Sequence, residues 1–219
     1  MTPAIIIPAY NPPETFDQLI QSMQNKSSIP IIIIDDGSQP SVKIEAAFIH
    51  VTLLRNNINK GKGYSLMKGI HYALKNGYTH GITLDADSQH DPAFIPEFLS
   101  IDEKISIVCG KRDLKGAMPF HRRLSNIITS KIVSFICHTK IYDSQCGYRR
   151  YNLQDVCSKR YFEQGFQFET EILIKLLNNK LKIFHIDIPT IYAGESSSMQ
   201  HIHDTLKFIR LIIRTLGKY

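Results

Sequence analysis

Two aspartates separated by one residue close an apolar segment at Thr83-Leu84-Asp85-Ala86-Asp87-Ser88-Gln89-His90-Asp91-Pro92. Side chains alternate along extended chain, so Asp85 and Asp87 share one face at a strand's end, with Gln89 next on that face. Ligands of open α/β sheets gather just outside the carboxyl ends of strands. Mg2+ or Mn2+ takes one or two carboxylates and completes its shell with water and substrate phosphate oxygens. The pair therefore suits a hard cation riding on a diphosphate, with a carbonyl oxygen available from Gln89. Taken alone, Asp85 and Asp87 are equally explained as turn formers. A second carboxylate pair, in Asp35-Asp36-Gly37-Ser38, follows another apolar run. Asp36 is placed either to accept from a base N–H or ribose hydroxyl, or to make an ordinary turn. Asp91 reads as a helix cap, because Pro92 follows it at a first-turn position.

These residues need strands that end beside one another. Apolar runs predict strands over 4–7, 29–34, 50–54, 80–84, 105–109 and 182–188. The run through Ile31, Ile32, Ile33 and Ile34 is apolar on both faces, as a central parallel strand requires. Helical periodicity falls over 15–24, 64–75, 93–99, 122–140, 168–179 and 201–216, with Asn76-Gly77 stopping the second helix. Alternation of strand and helix through the first half predicts a doubly wound α/β sheet. The segment 144–151 is polar and aromatic without clear periodicity. Gly61-Lys62-Gly63 is either a phosphate cradle or a plain loop. Leu66 stands where a dinucleotide fingerprint needs its third glycine, and Lys62-Gly63-Tyr64 breaks a nucleoside-triphosphate loop motif.

The chain of 219 residues, 43% hydrophobic and 21% charged, is expected to fold as one domain. It is expected to divide at about residue 112 and to end in a C-terminal amphipathic helix (201–219). No apolar run approaches the ~18 residues that span a bilayer, and the N-terminus reads as a first strand instead of a signal peptide. A cytoplasmic protein, peripheral on the cytoplasmic face of a membrane, is expected. Cys109, Cys137, Cys146 and Cys157 form no zinc pattern and are expected to be reduced. A net charge of +6 favours anionic partners, with no nucleic acid expected.

In order and spacing, several blocks together resemble family 2 glycosyltransferases of the GT-A fold, within them the polyprenyl-phosphate sugar transferases related to dolichol-phosphate mannose synthase. They are Ile7-Pro8-Ala9-Tyr10-Asn11, Ile34-Asp35-Asp36-Gly37-Ser38, Asn57 with Lys60-Gly61-Lys62-Gly63, the Asp85 to Pro92 block, Gly110-Lys111-Arg112, Asp143-Ser144-Gln145-Cys146-Gly147-Tyr148-Arg149 and Gly165-Phe166-Gln167-Phe168-Glu169-Thr170-Glu171. The resemblance implies a mixed, mostly parallel, Rossmann-like sheet flanked by helices, with a nucleotide-binding half over 1–112 and an acceptor half over 113–200. It implies that Pro8, Tyr10, Asn11, Asp36, Lys62 and Asp85 surround a UDP- or GDP-sugar. Asp85, Asp87 and Gln89 would flank Mg2+ or Mn2+, and Asp87, Gln89 and Glu171 would be catalytic, Glu171 orienting the donor sugar or acting as base. Arg112 with Arg122 or Arg123 would contact an acceptor phosphate, while Arg149 and Arg150 are further arginines at hand.

The expected reaction is inverting transfer of a sugar to a polyprenyl or dolichyl phosphate. Two other readings stand beside it: a saccharide hydroxyl of a glycan as acceptor, with Glu171 or Asp143 as base, and a non-catalytic nucleotide-sugar-binding scaffold. Leu206, Ile209, Ile213 and Leu216 form one helical stripe beside the basic Lys207, Arg210, Arg214 and Lys218, the pattern of an interfacial helix or of one packed on the domain. The 122–140 helix has the same two readings. The segment Ala193-Gly194-Glu195-Ser196-Ser197-Ser198-Met199 is a candidate cover for the site. Sequence leaves the oligomeric state unspecified.

Overall fold

The first two strands are isoleucine-rich runs too short for a helix and apolar on both sides, and that pattern sets the centre of the molecule. A computed structural model describes residues 1–45, 48–113, 118–178, 181–191 and 201–217, the side chains at 201–203 excepted. The candidate cover at 193–199 and Lys218 lie outside the described residues. In chain order the strands are β1 (Pro3–Ala9), β2 (Ile31–Asp35), β3 (Val51–Arg55), β4 (His80–Thr83), β5 (Ile107–Arg112), β6 (Arg149–Asn152) and β7 (Ile183–Ile188). They form one seven-stranded sheet in the order β3-β2-β1-β4-β6-β5-β7. β6 runs antiparallel to both β4 and β5; the other pairings are parallel. The mixed, mostly parallel sheet expected from the sequence is what forms.

The helices are α1 (Phe16–Lys26), α2 (Lys62–Lys75), α3 (Ile95–Ser100), α4 (Phe120–Cys137), α5 (Leu153–Cys157), α6 (Phe168–Leu177) and α7 (His201–Leu216). Period-2 alternation sends Ile6, Ile32 and Ile34 to a core shared with Leu66, Ile70, Val133, Phe168 and Leu211. Ile5, Ile7, Ile31 and Ile33 face the opposite core with Phe16, Leu19, Ile20 and Phe98. Burial on both faces explains why these strands read as continuous apolar runs.

The 144–151 segment is where sequence periodicity gave no element, and it holds β6. Its strand Arg-Arg-Tyr-Asn lacks any apolar alternation because two buried arginines occupy it. Arg149 donates to the carbonyls of Cys146, Ser144 and Glu169 at 2.7 Å each. Arg150, pointing the other way, donates to the carbonyls of Phe98, Ile101, Asp102 and Ile105. Both residues are 0% exposed. Expected among the cations for an acceptor phosphate, they are instead internal struts, their guanidinium groups turned to backbone carbonyls.

α7 buries Leu211 and packs Phe208 and Ile212 on the core. Its Leu206, Ile209, Ile213 and Leu216 face solvent, as do Phe120, Leu124, Ile128 and Phe135 of α4. Among the described residues no helix is long and apolar enough to cross a membrane.

Candidate active site

The carboxyl ends of β1, β2 and β4 lie side by side, with Ala9 opposite Asp35 in register and Ile6 opposite Thr83. The loops leaving them carry Tyr10-Asn11, Asp36 and Asp85 to one edge of the sheet. The Asn11 N–H donates to Ser38 Oγ and the Gln39 N–H donates to Asn11 Oδ1, both at 2.9 Å, tying the β1 and β2 loops together. Tyr10 is 51% exposed at this rim, and Pro8 is half-buried. Asp35 is buried; it accepts from the Ser38 and Val42 N–H groups and pairs with Arg55.

Asp36 is also turned inward. Its Oδ1 accepts from Asn56 Nδ2 at 2.8 Å and from the Lys60 N–H at 3.0 Å, while Oδ2 accepts from the Gly61 N–H at 2.8 Å. The carboxylate thus shapes the glycine loop that delivers Lys62. The Gly63 and Tyr64 N–H groups donate to the Gln164 carbonyl at 2.7 and 3.1 Å. A carbonyl, not an open cradle, therefore caps the start of α2, and Gly61-Lys62-Gly63 is a loop that presents a side chain. A Cβ on Gly63 would sit 2.4 Å from Phe168 Cβ, which explains the glycine there.

Lys62 reaches across to Asp85 Oδ1 at 2.6 Å and to Glu169 Oε2 at 2.9 Å. Burial would lower its pKa, but the two carboxylates raise it above the ordinary lysine value. Burial would likewise raise Asp85, yet Lys62 and the neighbouring His90 and Arg112 hold it down at about 2. Asp85 is therefore ionised. Asp87 lies in a different field: burial first, then the Asp85 charge, push it up to about 6, against a hydrogen bond from the Gln89 N–H at 3.1 Å. Gln89 is half-buried beside it. His90 accepts from the Asp85 N–H through Nδ1 at 3.2 Å and tilts against Tyr148, and burial lowers its pKa to about 4. It is a neutral support for the loop. Asp91 caps as the Asp-Pro pattern predicts, accepting from the Ala93 N–H at 2.8 Å.

On the far side of Asp85 lies Gly147, where a Cβ would fall 2.6 Å from Asp85 Oδ2. Behind it Asp143, fully buried, takes Arg112 Nε at 2.7 Å and Nη2 at 3.1 Å, and Asn126 Nδ2 from α4 at 2.8 Å. Burial would raise Asp143, and Arg112 outweighs it to lower the pKa. Arg122 and Arg123 sit half-buried on the first turns of α4; Arg122 precedes Asn126 by one turn and shares its side of the helix.

Glu171 is placed elsewhere. Its carboxylate accepts from the Phe162 and Glu163 N–H groups at 2.9 and 2.8 Å, and pairs with Lys175 at 2.8 Å and with Arg214 of α7 at 3.3 Å. It braces a loop against α7. Glu169, which sequence reasoning passed over, is the acid that faces Lys62. Residues two apart on a helix point apart, so only one of the two can serve this edge. The signal that singles out Glu169 is the charge of Lys62, which needs a second counter-ion when buried.

The donor set suits a hard divalent cation: Asp85 is ionised, Asp87 ionises near neutrality, and both offer carboxylate oxygens. Glu169 Oε1 is buried without a hydrogen-bond partner, an acceptor left over within the same cluster. Among the described residues no group of three or more His, Cys, Asp or Glu is arranged for a metal, so an ion here would complete its shell from substrate and water.

Comparison with known proteins adds to this geometry. The model of the family described as glycosyl transferase family 2 matches residues 4–165. An uncharacterized protein of Methanocaldococcus jannaschii is 30% identical over 95% of this chain and 96% of its own length. A UDP-N-acetylglucosamine–dolichyl-phosphate N-acetylglucosaminyltransferase of Methanococcus voltae is 28% identical over 98% of this chain and 96% of its own. The glucosyl-3-phosphoglycerate synthase of Mycobacterium tuberculosis, solved with Mn2+ and UDP-glucose, superposes with a TM-score of 0.76 at 16% identity, covering 99% of this chain and 79% of that one. That likeness is one of fold, the GT-A fold.

Proposed function

Because the chain belongs to glycosyl transferase family 2, we propose that it transfers a sugar, with inversion, from a UDP- or GDP-sugar to a polyprenyl or dolichyl phosphate. The observation that carries this reading is the cluster of Asp85, Asp87, Lys62 and Glu169 at the carboxyl edge of β4. The relative from Methanococcus voltae, named for a dolichyl-phosphate acceptor and similar from end to end, supports the choice of acceptor.

In this reading residues 1–112 form the donor half. Tyr10 stacks on the base, with Pro8 and Asn11 lining its pocket and Asp36 holding the loop beneath. Asp85, Asp87 and Gln89 would hold Mg2+ or Mn2+. A bound cation would supply charge neutralisation on the diphosphate as it departs. Lys62 adds a second positive charge on that side. Residues 113–200 form the acceptor half; Arg112 at its border, fixed by Asp143, orients the acceptor phosphate with Arg122 and Arg123 of α4. One phosphate oxygen attacks the anomeric carbon; its bond to that carbon forms as the carbon–oxygen bond to the nucleoside diphosphate breaks. A phosphate is already an anion and requires no base.

A hydroxyl acceptor would require one. Asp143 is enclosed by Arg112 and Asn126, and Glu171 is engaged by a loop and by α7, which favours the lipid phosphate over a saccharide hydroxyl. The outward apolar residues of α4 and α7, with Lys207 and Arg210 beside them, would dock the protein on the cytoplasmic face of an anionic membrane. The test incubates purified protein with Mg2+ or Mn2+, radiolabelled UDP- and GDP-sugars, and polyprenyl phosphate in detergent or vesicles. Label should appear in the organic phase and disappear with Asp87→Ala. Transfer to free saccharides but never to the lipid phosphate would refute the acceptor, and unchanged transfer by Asp87→Ala would refute the metal assignment.

A further inference from the structure

We propose that Lys62 is a placeholder cation: in the cation-free state its ammonium occupies Asp85, and it must leave that carboxylate for a divalent metal to bind. The nucleotide diphosphate gives Lys62 its alternative partner, so that metal and nucleotide enter as a coupled pair. The inference rests on the donor-and-metal reading above and adds to it an order and a mechanism of coupling.

Four observations carry it. Lys62 Nζ bridges Asp85 Oδ1 and Glu169 Oε2 at 2.6 and 2.9 Å, so the oxygen a metal would use is already capped by a positive charge. Two cations cannot share that oxygen without strong repulsion at such separations. The backbone carrying Lys62 is pinned on both sides, the Gly61 N–H on Asp36 Oδ2 and the Gly63 N–H on the Gln164 carbonyl. Movement is therefore left to the lysine's flexible four-carbon stem. Asp85 has no comparable freedom, because Gly147 lies so close that a single added Cβ would fall 2.6 Å from its Oδ2. Finally, Glu169 Oε1 is buried and accepts from no donor. Lys62 can release Asp85 and keep hold of Glu169 through that second oxygen while it turns toward a diphosphate.

The arrangement makes two predictions about equilibrium binding. Metal alone binds weakly, because it must displace Lys62 without offering it a new anion. Nucleotide strengthens metal binding, and by reciprocity metal strengthens nucleotide binding by the same factor. Removing the ammonium removes the competition, so the nucleotide-free site should gain metal affinity even as the nucleotide loses a contact.

The decisive measurement is Mn2+ binding to the full chain, read as free Mn2+ by electron spin resonance, with and without UDP. Lys62→Met is expected to bind Mn2+ without nucleotide at least about tenfold more tightly than wild type, ~1.4 kcal/mol. UDP should strengthen Mn2+ binding to wild type much more than to the variant. Lys62→Arg, which keeps the charge, should stay close to wild type. If Lys62→Met binds Mn2+ no more tightly while wild type still binds it with UDP, the placeholder role is refuted and the metal reading survives. If wild type binds no Mn2+ even with UDP, both fall. Should Lys62→Met fail to fold, wild-type protein decides: a short acetic anhydride pulse, quantified by mass spectrometry against the exposed Lys43, should label Lys62 more heavily as Mn2+ alone approaches saturation. Labelling of Lys62 that stays flat across that titration overturns the proposal.

Discussion

Asp87→Asn should make the metal-free protein more stable at neutral pH while removing its response to metal and nucleotide. Burial and the Asp85 charge raise the Asp87 pKa from 3.8 to about 6 in the folded protein. At 1.36 kcal/mol per pH unit, that rise corresponds to about 3 kcal/mol. The sign follows from proton counting. Between pH 3.8 and about 6 the folded state holds a proton that the unfolded state has lost, so stability falls as pH rises through this window. Above it the full penalty of an ionised Asp87 is present; below it the penalty vanishes. Asparagine is neutral throughout and still offers Oδ1 to the Gln89 N–H, so it recovers most of the difference, ~1–3 kcal/mol after allowance for the half-exposed side chain. For a chain of this length that is a rise in Tm of about 3–10 °C. The assay is thermal unfolding in a chelator from pH 4 to 8, repeated at pH 8 with Mn2+ and UDP. Wild type should gain ~2.7 kcal/mol at ligand a hundredfold above Kd, and the variant little. A variant melting at or below wild type at pH 8 in the chelator, or showing an equal gain at pH 4, would refute the reasoning.

Glu169→Gln and Glu171→Gln should separate site from scaffold: the first lowers turnover with little change in Tm, whereas the second loses the partner of Lys175 and Arg214 and costs about 1–3 kcal/mol of stability with turnover per folded molecule preserved. Paired melting curves and sugar-transfer rates check both. Gly147→Ala drives a Cβ to within 2.6 Å of Asp85 Oδ2 and should weaken Mn2+-dependent UDP binding by about tenfold or more, measured by calorimetry, with the fold retained by circular dichroism. Arg150→Met leaves the carbonyls of Phe98, Ile101, Asp102 and Ile105 without their donor and should cost ~3–5 kcal/mol in urea unfolding, while UDP affinity of the folded fraction is unchanged.

Much of the architecture was legible because it is written in short-range patterns. The isoleucine runs could only be strands buried on two faces, Asn76-Gly77 stops α2, and Asp91-Pro92 opens the turn before α3. Their alternation implied a mostly parallel sheet, and a parallel sheet implied that Tyr10, Asp36 and Asp85 emerge at one edge. β6 escaped because its identity depends on what surrounds it. Arg149 and Arg150 look like surface cations until carbonyls from 98–105, 144–146 and Glu169 enclose them. Charge alone does not say whether an arginine meets a ligand or a peptide oxygen.

The carboxylates divide in the same way. Sequence by itself determined that Asp85 and Asp87 would follow the end of an apolar strand, but β4 closes at Thr83 and the chain turns at Ala86 and Asp87, so strand alternation does not set their common face. Tertiary structure alone decided that their fields differ, because Lys62 pairs with one of them and not with the other. It also decided that Asp36 turns inward to hold the lysine's loop, and that Glu169 rather than Glu171 faces the site. A helix shows two acids two residues apart on different sides, but which side meets the cleft depends on where α2 and α7 come to rest, far away in the chain.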